Sequence, residues 1–185
     1  MSQSFIVTGI VIKRDNFREA DKWLTVFSKE KGKIRILAKG LRKITSRRSG
    51  RLELFNEVKL QVVAGRSTNI GAEVEVINSF PKFRKNLSKV SLVYQFAEVV
   101  HLLTPEEAPR LEVYFLLKDF LEKAEILGQA ELQAQLIISE SSLLVTLGFW
   151  DGVHQKEQFK DLNFIRQFIE LILEHKLKAP DVLRA

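Results

Sequence analysis

At Pro81 the apolar residues of this chain change period, and that change limits what each part can fold into. Before it the period is two, as a half-buried strand requires. Ile34, Ile36 and Ala38 alternate with Lys33, Arg35, Leu37 and Lys39; Val58, Leu60 and Val62 alternate with Lys59, Gln61 and Val63; Val74 and Val76 alternate with Glu73, Glu75 and Ile77. Residues 5–13 are apolar on both faces, which predicts a central strand covered on both sides. Residues 23–27 give a further strand, and Gly32 supplies the positive φ of a hairpin leading to the strand at 33–38.

Beyond Pro81 the period is helical. Val90, Val93, Tyr94, Ala97 and Val100 form one stripe, and Leu111, Tyr114, Phe115, Leu117 and Leu121 a second. Residues 104–109 separate them, since Pro109 fits a first helical turn but not an interior. A third helix is expected over 129–147, with Leu132, Leu136, Leu143 and Leu147 inward and Gly148 at its C-cap. Asp161 or Asn163 caps a fourth, with Phe164, Phe168, Leu171 and Ile172 on its inner side. The expected fold is therefore α+β: a five-stranded Greek-key barrel of oligonucleotide-binding type over 1–81, then an all-helical domain over 82–185. An SH3-like barrel competes for the first part.

Charge follows the same division. Residues 1–82 carry 17 Lys and Arg against 8 Asp and Glu, whereas 83–185 carry 12 against 15. Between positions 29 and 51, ten cations face the single acid Glu30, on a strand followed by a loop of Gly, Ser, Arg and Lys. Such asymmetry points to an anionic polymer met by the first half. The candidate phosphate contacts are Lys33, Arg35, Lys39, Arg42, Lys43, Arg47, Arg48 and Arg51, with Lys33, Arg35 and Lys39 sharing a strand face. A solvated basic hairpin kept for solubility is the alternative. Loop charges bury little apolar surface, so removing Arg47 and Arg48 is expected to leave the fold intact. Single-strand binders stack bases on exposed aromatics, and Trp23 is the candidate for that role, while Phe5 and Phe27 are read as barrel interior. The acidic balance of the helical half argues for protein partners there, with Phe149 and Trp150 lining a pocket for an apolar peptide.

Catalytic patterns are missing. His101, His154 and His175 lack metal-ligand spacing, there is no cysteine, and neither a phosphate-cradling glycine loop nor a nucleophile elbow occurs. We expect no enzyme, no metal and no cofactor. No stretch has the length and apolarity of a membrane span, and residues 1–12 lack the pattern of a secretory signal, so a soluble, cytoplasmic protein is expected.

Residues 15–28 (DNFREADKWLTVFS), 30–40 (EKGKIRILAKG) and 46–52 (SRRSGRL) closely resemble the amino-terminal domain of the bacterial recombination mediator RecO. Residues 94–100 (YQFAEVV), 104–107 (TPEE) and 143–149 (LLVTLGF) look like that family's helical domain. The resemblance implies an oligonucleotide-binding barrel, binding of single- and double-stranded DNA, strand annealing, recombinase loading onto DNA coated by single-strand-binding protein, the partner RecR, and a place at the bacterial nucleoid. Two departures stand out. Many members carry a four-cysteine zinc module where this chain has residues 151–160 without cysteine, and the chain is short for the family. An RNA-binding or ribosome-associated barrel is the alternative function, because contact with a phosphate backbone hardly separates the two polymers.

Overall fold

A computed structural model describes residues 4–42, 48–65, 68–150 and 162–178. Its elements are β1 (Ser4–Phe17), β2 (Asp21–Ser28), β3 (Gly32–Ala38), β4 (Glu57–Ala64), β5 (Asn69–Asn78), a 3-10 turn (Phe83–Lys85), α1 (Leu87–Leu103), α2 (Leu111–Ile126), α3 (Gln129–Leu147) and α4 (Leu162–Leu173). They fall into two compact units. The barrel unit holds 1–79 and 105–114, and the helical unit holds 80–104 and 115–185.

The strands close in the order β1-β2-β3-β5-β4, the Greek-key order of an oligonucleotide-binding barrel. Closure needs one strand to serve two partners. β1 does so by its length: residues 4–10 pair with β4 and residues 9–17 with β2, with a register shift between Val11 and Lys13 that bends the strand round the corner. At that corner a Cβ on Gly9 would lie 2.8 Å from the Phe27 carbonyl oxygen, so the close approach requires glycine. β1 is covered on both faces only at residues 9–12; Ile6 is exposed and Phe5 half-buried beneath the Lys31 ammonium, which corrects the reading of Phe5 as interior. Val7, Ile10, Leu24, Val26, Ile34, Ile36, Val58, Leu60 and Val62 are almost wholly buried.

The barrel unit is completed by residues far along the chain. Residues 105–110 run beside the start of β3: Lys33 and Glu106 form a parallel bridge, and the Glu107 N–H donates to the Lys33 carbonyl at 2.9 Å. Gly32 has the expected positive φ of 65°, and any Cβ there would also collide with the Ala108 carbonyl. In the first turn of α2, the buried Tyr114 hydroxyl donates to the buried Glu57 carboxylate at 2.5 Å.

In the helical unit, the Asn86 side chain caps α1 by accepting from the Lys89 N–H, and α3 ends at Gly148 with φ 80°. The bounds expected for α3 hold. Val93, Phe96, Ala97 and Val100 of α1 are buried, with Phe96 4.9 Å from Phe120 of α2. Five inward assignments need correction. Tyr94 is 38%, Leu111 47% and Phe115 51% exposed, because each lies at the margin of its stripe. α4 buries Ile165 and Ile169, four residues apart, and leaves Phe164 36% and Leu171 75% exposed. Asn163 lies inside α4 rather than capping it, and Asp161 falls outside the described residues.

Glu140 of α3 is wholly buried. Gln95 Nε2 donates to one carboxyl oxygen at 3.0 Å, and the other has no hydrogen-bond partner. Burial pushes this carboxyl up to about 8, against the opposing effects of the Gln95 hydrogen bond and the Arg166 charge. Between the ordinary carboxylate value of 4.5 and about 8, the folded chain holds a proton that the unfolded chain releases. Stability should therefore fall as pH rises through that window. Glu140→Gln should flatten the dependence and raise stability at pH 8 by on the order of a few kcal/mol, with little change near pH 5. Urea midpoints across this range check it; a wild-type profile as flat as the variant's would refute it.

Candidate nucleic-acid interface

Antiparallel register puts Trp23 opposite Leu37, Thr25 opposite Arg35 and Phe27 opposite Lys33, so these six residues share one face of the β2–β3 hairpin. Most of that face is covered, Thr25 and Leu37 being buried as well. Phe27 is fully buried, and Lys33, expected as an exposed cation, is only 7% exposed, since residues 105–107 run against its strand. Burial lowers the Lys33 pKa, an effect that the Glu106 carboxylate opposes and the Lys13 charge adds to. Arg35 is the one exposed residue of β3.

The open part carries two rings flanked by cations. The Arg35 guanidinium lies 4.4 Å over the Trp23 ring, Trp23 is 5.5 Å from Phe17, and Arg18 lies 5.1 Å over Phe17. Each cation is held against the negative face of its ring, so the row is ordered in advance. Hydrogen bonds bring the turn after β3 to the same place. The Gly40 N–H donates to Asp21 Oδ1, the Arg42 N–H to the Ala20 carbonyl, and the Arg42 guanidinium to the Arg18 carbonyl at 2.9 Å. Lys22 has a lowered pKa, first from burial and then from the positive charges of Arg14 and Arg42. Like charges gathered this closely favour an anion among them.

Arg48 and Arg51 have a different setting. Strand β5 meets β3 at only two positions, Asn69 and Ile70, so its following carbonyls on that side need donors. Arg48 donates to the carbonyls of Gly71 at 3.2 Å, Ala72 at 3.1 Å and Lys39 at 2.8 Å, and Arg51 reaches the Val74 carbonyl at 3.4 Å. Both cations thus hold the barrel seam. This revises the expectation that Arg48 could be removed at no cost to the fold. Lys39 and Arg42 are exposed, while Lys43 and Arg47 lie outside the described residues.

Arg18, Phe17 and Lys22 escaped the sequence reading. Their signal was the run 17–23, in which two cations and two aromatics surround a two-stranded turn, but only the register shows which of them meet.

At the end of α3, Phe149 is 42% exposed and its N–H donates to the Leu144 carbonyl, whereas Trp150 packs edge-on against Phe168 of α4 at 5.3 Å. Among the described residues no cluster of His, Asp or Glu is arranged to hold a metal ion, and no helix is long and apolar enough to cross a membrane.

Residues 1–80 match the family model described as the recombination protein O N-terminal domain. Curated relatives named DNA repair protein RecO include that of Symbiobacterium thermophilum, 32% identical over 145 residues, covering 77% of this chain and 56% of the relative. The protein of Gloeothece citriformis is 36% identical over 125 residues, covering 68% and 44%. That of Trichodesmium erythraeum is 35% identical over 162 residues, covering 84% and 56%. The chain spans about half the length of these relatives.

The contrast between Arg48 and Lys39 is measurable. Arg48→Ala leaves three carbonyls short of donors and should lower stability by about 2 kcal/mol. Lys39→Ala should change it by less than about 0.5 kcal/mol. Equal urea midpoints for the two variants would show that the seam does not depend on Arg48.

Proposed function

Because this chain belongs to the RecO family, we propose that it is a DNA-binding mediator of recombinational repair. In this reading it holds single- and double-stranded DNA, promotes annealing of complementary strands, and helps load recombinase onto DNA coated by single-strand-binding protein, together with RecR, in the bacterial cytoplasm at the nucleoid. It performs no covalent chemistry and needs no cofactor.

The observation that carries this reading is the row Arg18–Phe17–Trp23–Arg35 beside Lys22, Lys39 and Arg42. Half-buried surface rings of this kind accept unstacked bases of any sequence, and the cations around them neutralise the backbone. Lys43 and Arg47 extend the cationic side of the proposal. Neutralised phosphates release counterions and repel a second strand less, so pairing can proceed without nucleotide hydrolysis. Lys33, Arg48 and Arg51 contribute mainly through the field and the fold, given their burial and carbonyl partners. The exposed Phe149 ring, next to Trp150, is the proposed contact for an apolar segment of single-strand-binding protein.

Trp23→Ala should weaken single-strand binding by roughly 1–3 kcal/mol while leaving duplex binding almost unchanged, because paired bases offer no free face. Lys39→Ala with Arg42→Ala should weaken both and reduce the slope of log affinity against log salt by about 1.4 on single strands. Titrations with DNA and with RNA of matched sequence, each at several salt concentrations, provide the test. Binding indifferent to all three substitutions would remove the barrel face from the mechanism, and a clear preference for RNA would favour the ribosome-associated alternative.

Phe149→Ala, at unchanged melting temperature, should lose single-strand-binding protein and keep DNA. Retention of both at full strength would place that partner elsewhere.

A further inference from the structure

The helical half is acidic on balance, but its charge is not evenly spread. Positions 81–89 hold Lys82, Arg84, Lys85 and Lys89 with no acid among them. The structure fixes this stretch firmly. Phe83 is fully buried, the N–H groups of Lys82 and Phe83 both donate to Glu125 Oε1 at 2.8 and 2.9 Å, and the Asn86 N–H donates to the Phe83 carbonyl. The Arg84 guanidinium lies 5.3 Å over the Phe83 ring, and Lys89 Nζ donates to the Ala124 carbonyl.

The Glu125 oxygen nearest the turn is therefore engaged by backbone donors. Lys82 and Lys85 project from the pinned backbone as exposed side chains, and their ammonium groups make no ion pair among the described residues. These cations also precede α1, whose first turn contains no acid. The positive end of a helix dipole disfavours cations there, and the single Glu125 carboxylate at the turn offsets only part of the charge of four cations, so a further anion is favoured. Such an arrangement is unlike a solvated charged face, in which both signs alternate.

We propose that the 81–89 turn is a second phosphate-binding site, in the helical unit, for the backbone of a nucleic-acid strand. Identification of the anion as nucleic acid rests on the function proposed above. The turn presents no free ring, because Phe83 is fully buried. Its contact is accordingly to backbone alone, indifferent to base sequence and open to duplex as well as single strands. The barrel row holds unstacked bases, and this turn accepts a strand that is already paired.

The test uses the full chain with Lys82→Gln and Lys85→Gln together, and a control in which both become Arg. Because the Gln pair neutralises two fewer phosphates, duplex affinity should fall roughly tenfold or more and the salt slope should drop by about 1.8. Annealing should slow, while a short single strand held through Trp23 keeps its affinity. The double Arg variant should bind duplex as the wild type does. Unchanged duplex affinity and slope in a Gln variant that melts normally would overturn the second site while leaving the barrel reading intact. Absence of any nucleic-acid binding by the wild type would overturn both, and equal loss on the short strand would merge the turn with the barrel face and overturn its independence.

Discussion

The barrel closes through its shortest seam. β3 and β5 share only two residue pairs, and a strand that runs on without a partner leaves carbonyl oxygens facing out of the ladder. Buried or half-buried carbonyls of this kind need donors, and an arginine side chain offers several in one planar fork. Arg48 bonds two carbonyls of β5 and one of the turn after β3, so a single side chain spans the gap. The basic loop is thereby attached to the barrel at the positions where its cations are densest. Cations that satisfy carbonyls keep their charge but lose freedom to follow a ligand. Charge counting therefore overstates the number of phosphates such a loop can touch, although the field it generates is undiminished.

The opposite end of β3 is closed by a different device. Its free edge pairs with residues 105–107, and Gly32 permits the Ala108 backbone to approach where any side chain would collide. Lys33 is enclosed as a result, and the Tyr114–Glu57 hydrogen bond ties the first turn of α2 to the start of β4. Both polar groups of that buried pair are satisfied by each other, which is the condition under which burying them is tolerable. The exposed part of the hairpin face is what remains between these two closures. Its small extent is the reason that Arg35 alone among the β3 side chains is exposed, stacked on Trp23.

Local features of this architecture were legible in the sequence. Alternation at 33–38, 58–63 and 74–77 gave the strands, Gly32 gave its positive φ, and leucine spacing with Gly148 gave α3 to the residue. What periodicity could not give was the identity of whatever covers an outward face. Lys33 and Arg35 read alike in sequence and differ in the structure because a segment more than seventy positions away lies against one of them. The row from Arg18 to Arg35 needed the register of two hairpins, and α4 needed the choice between an isoleucine stripe and a phenylalanine stripe of equal period. Arg48 was legible as a cation but not as a donor to β5, since nothing local foretells how short the β3–β5 seam is.

Strand annealing, as proposed for this chain, would make an unusual physical demand: each strand must be held, yet no base may be held through the edge it needs for pairing. Stacking on a ring satisfies this, because it engages the face of a base and leaves its pairing edge free. A guanidinium fixed over the opposite end of the ring row adds charge without adding hydrogen-bond readout, so sequence preference stays low. Interactions of this type are individually weak, and a base can leave the row as soon as its complement competes for it. A backbone-only contact, such as the one proposed for the 81–89 turn, would lose nothing when the strand pairs, since pairing leaves the phosphates outward. Binding that weakens at the bases and persists at the phosphates would favour the paired product over the separated strands, and that difference is sufficient to drive annealing without an external source of free energy.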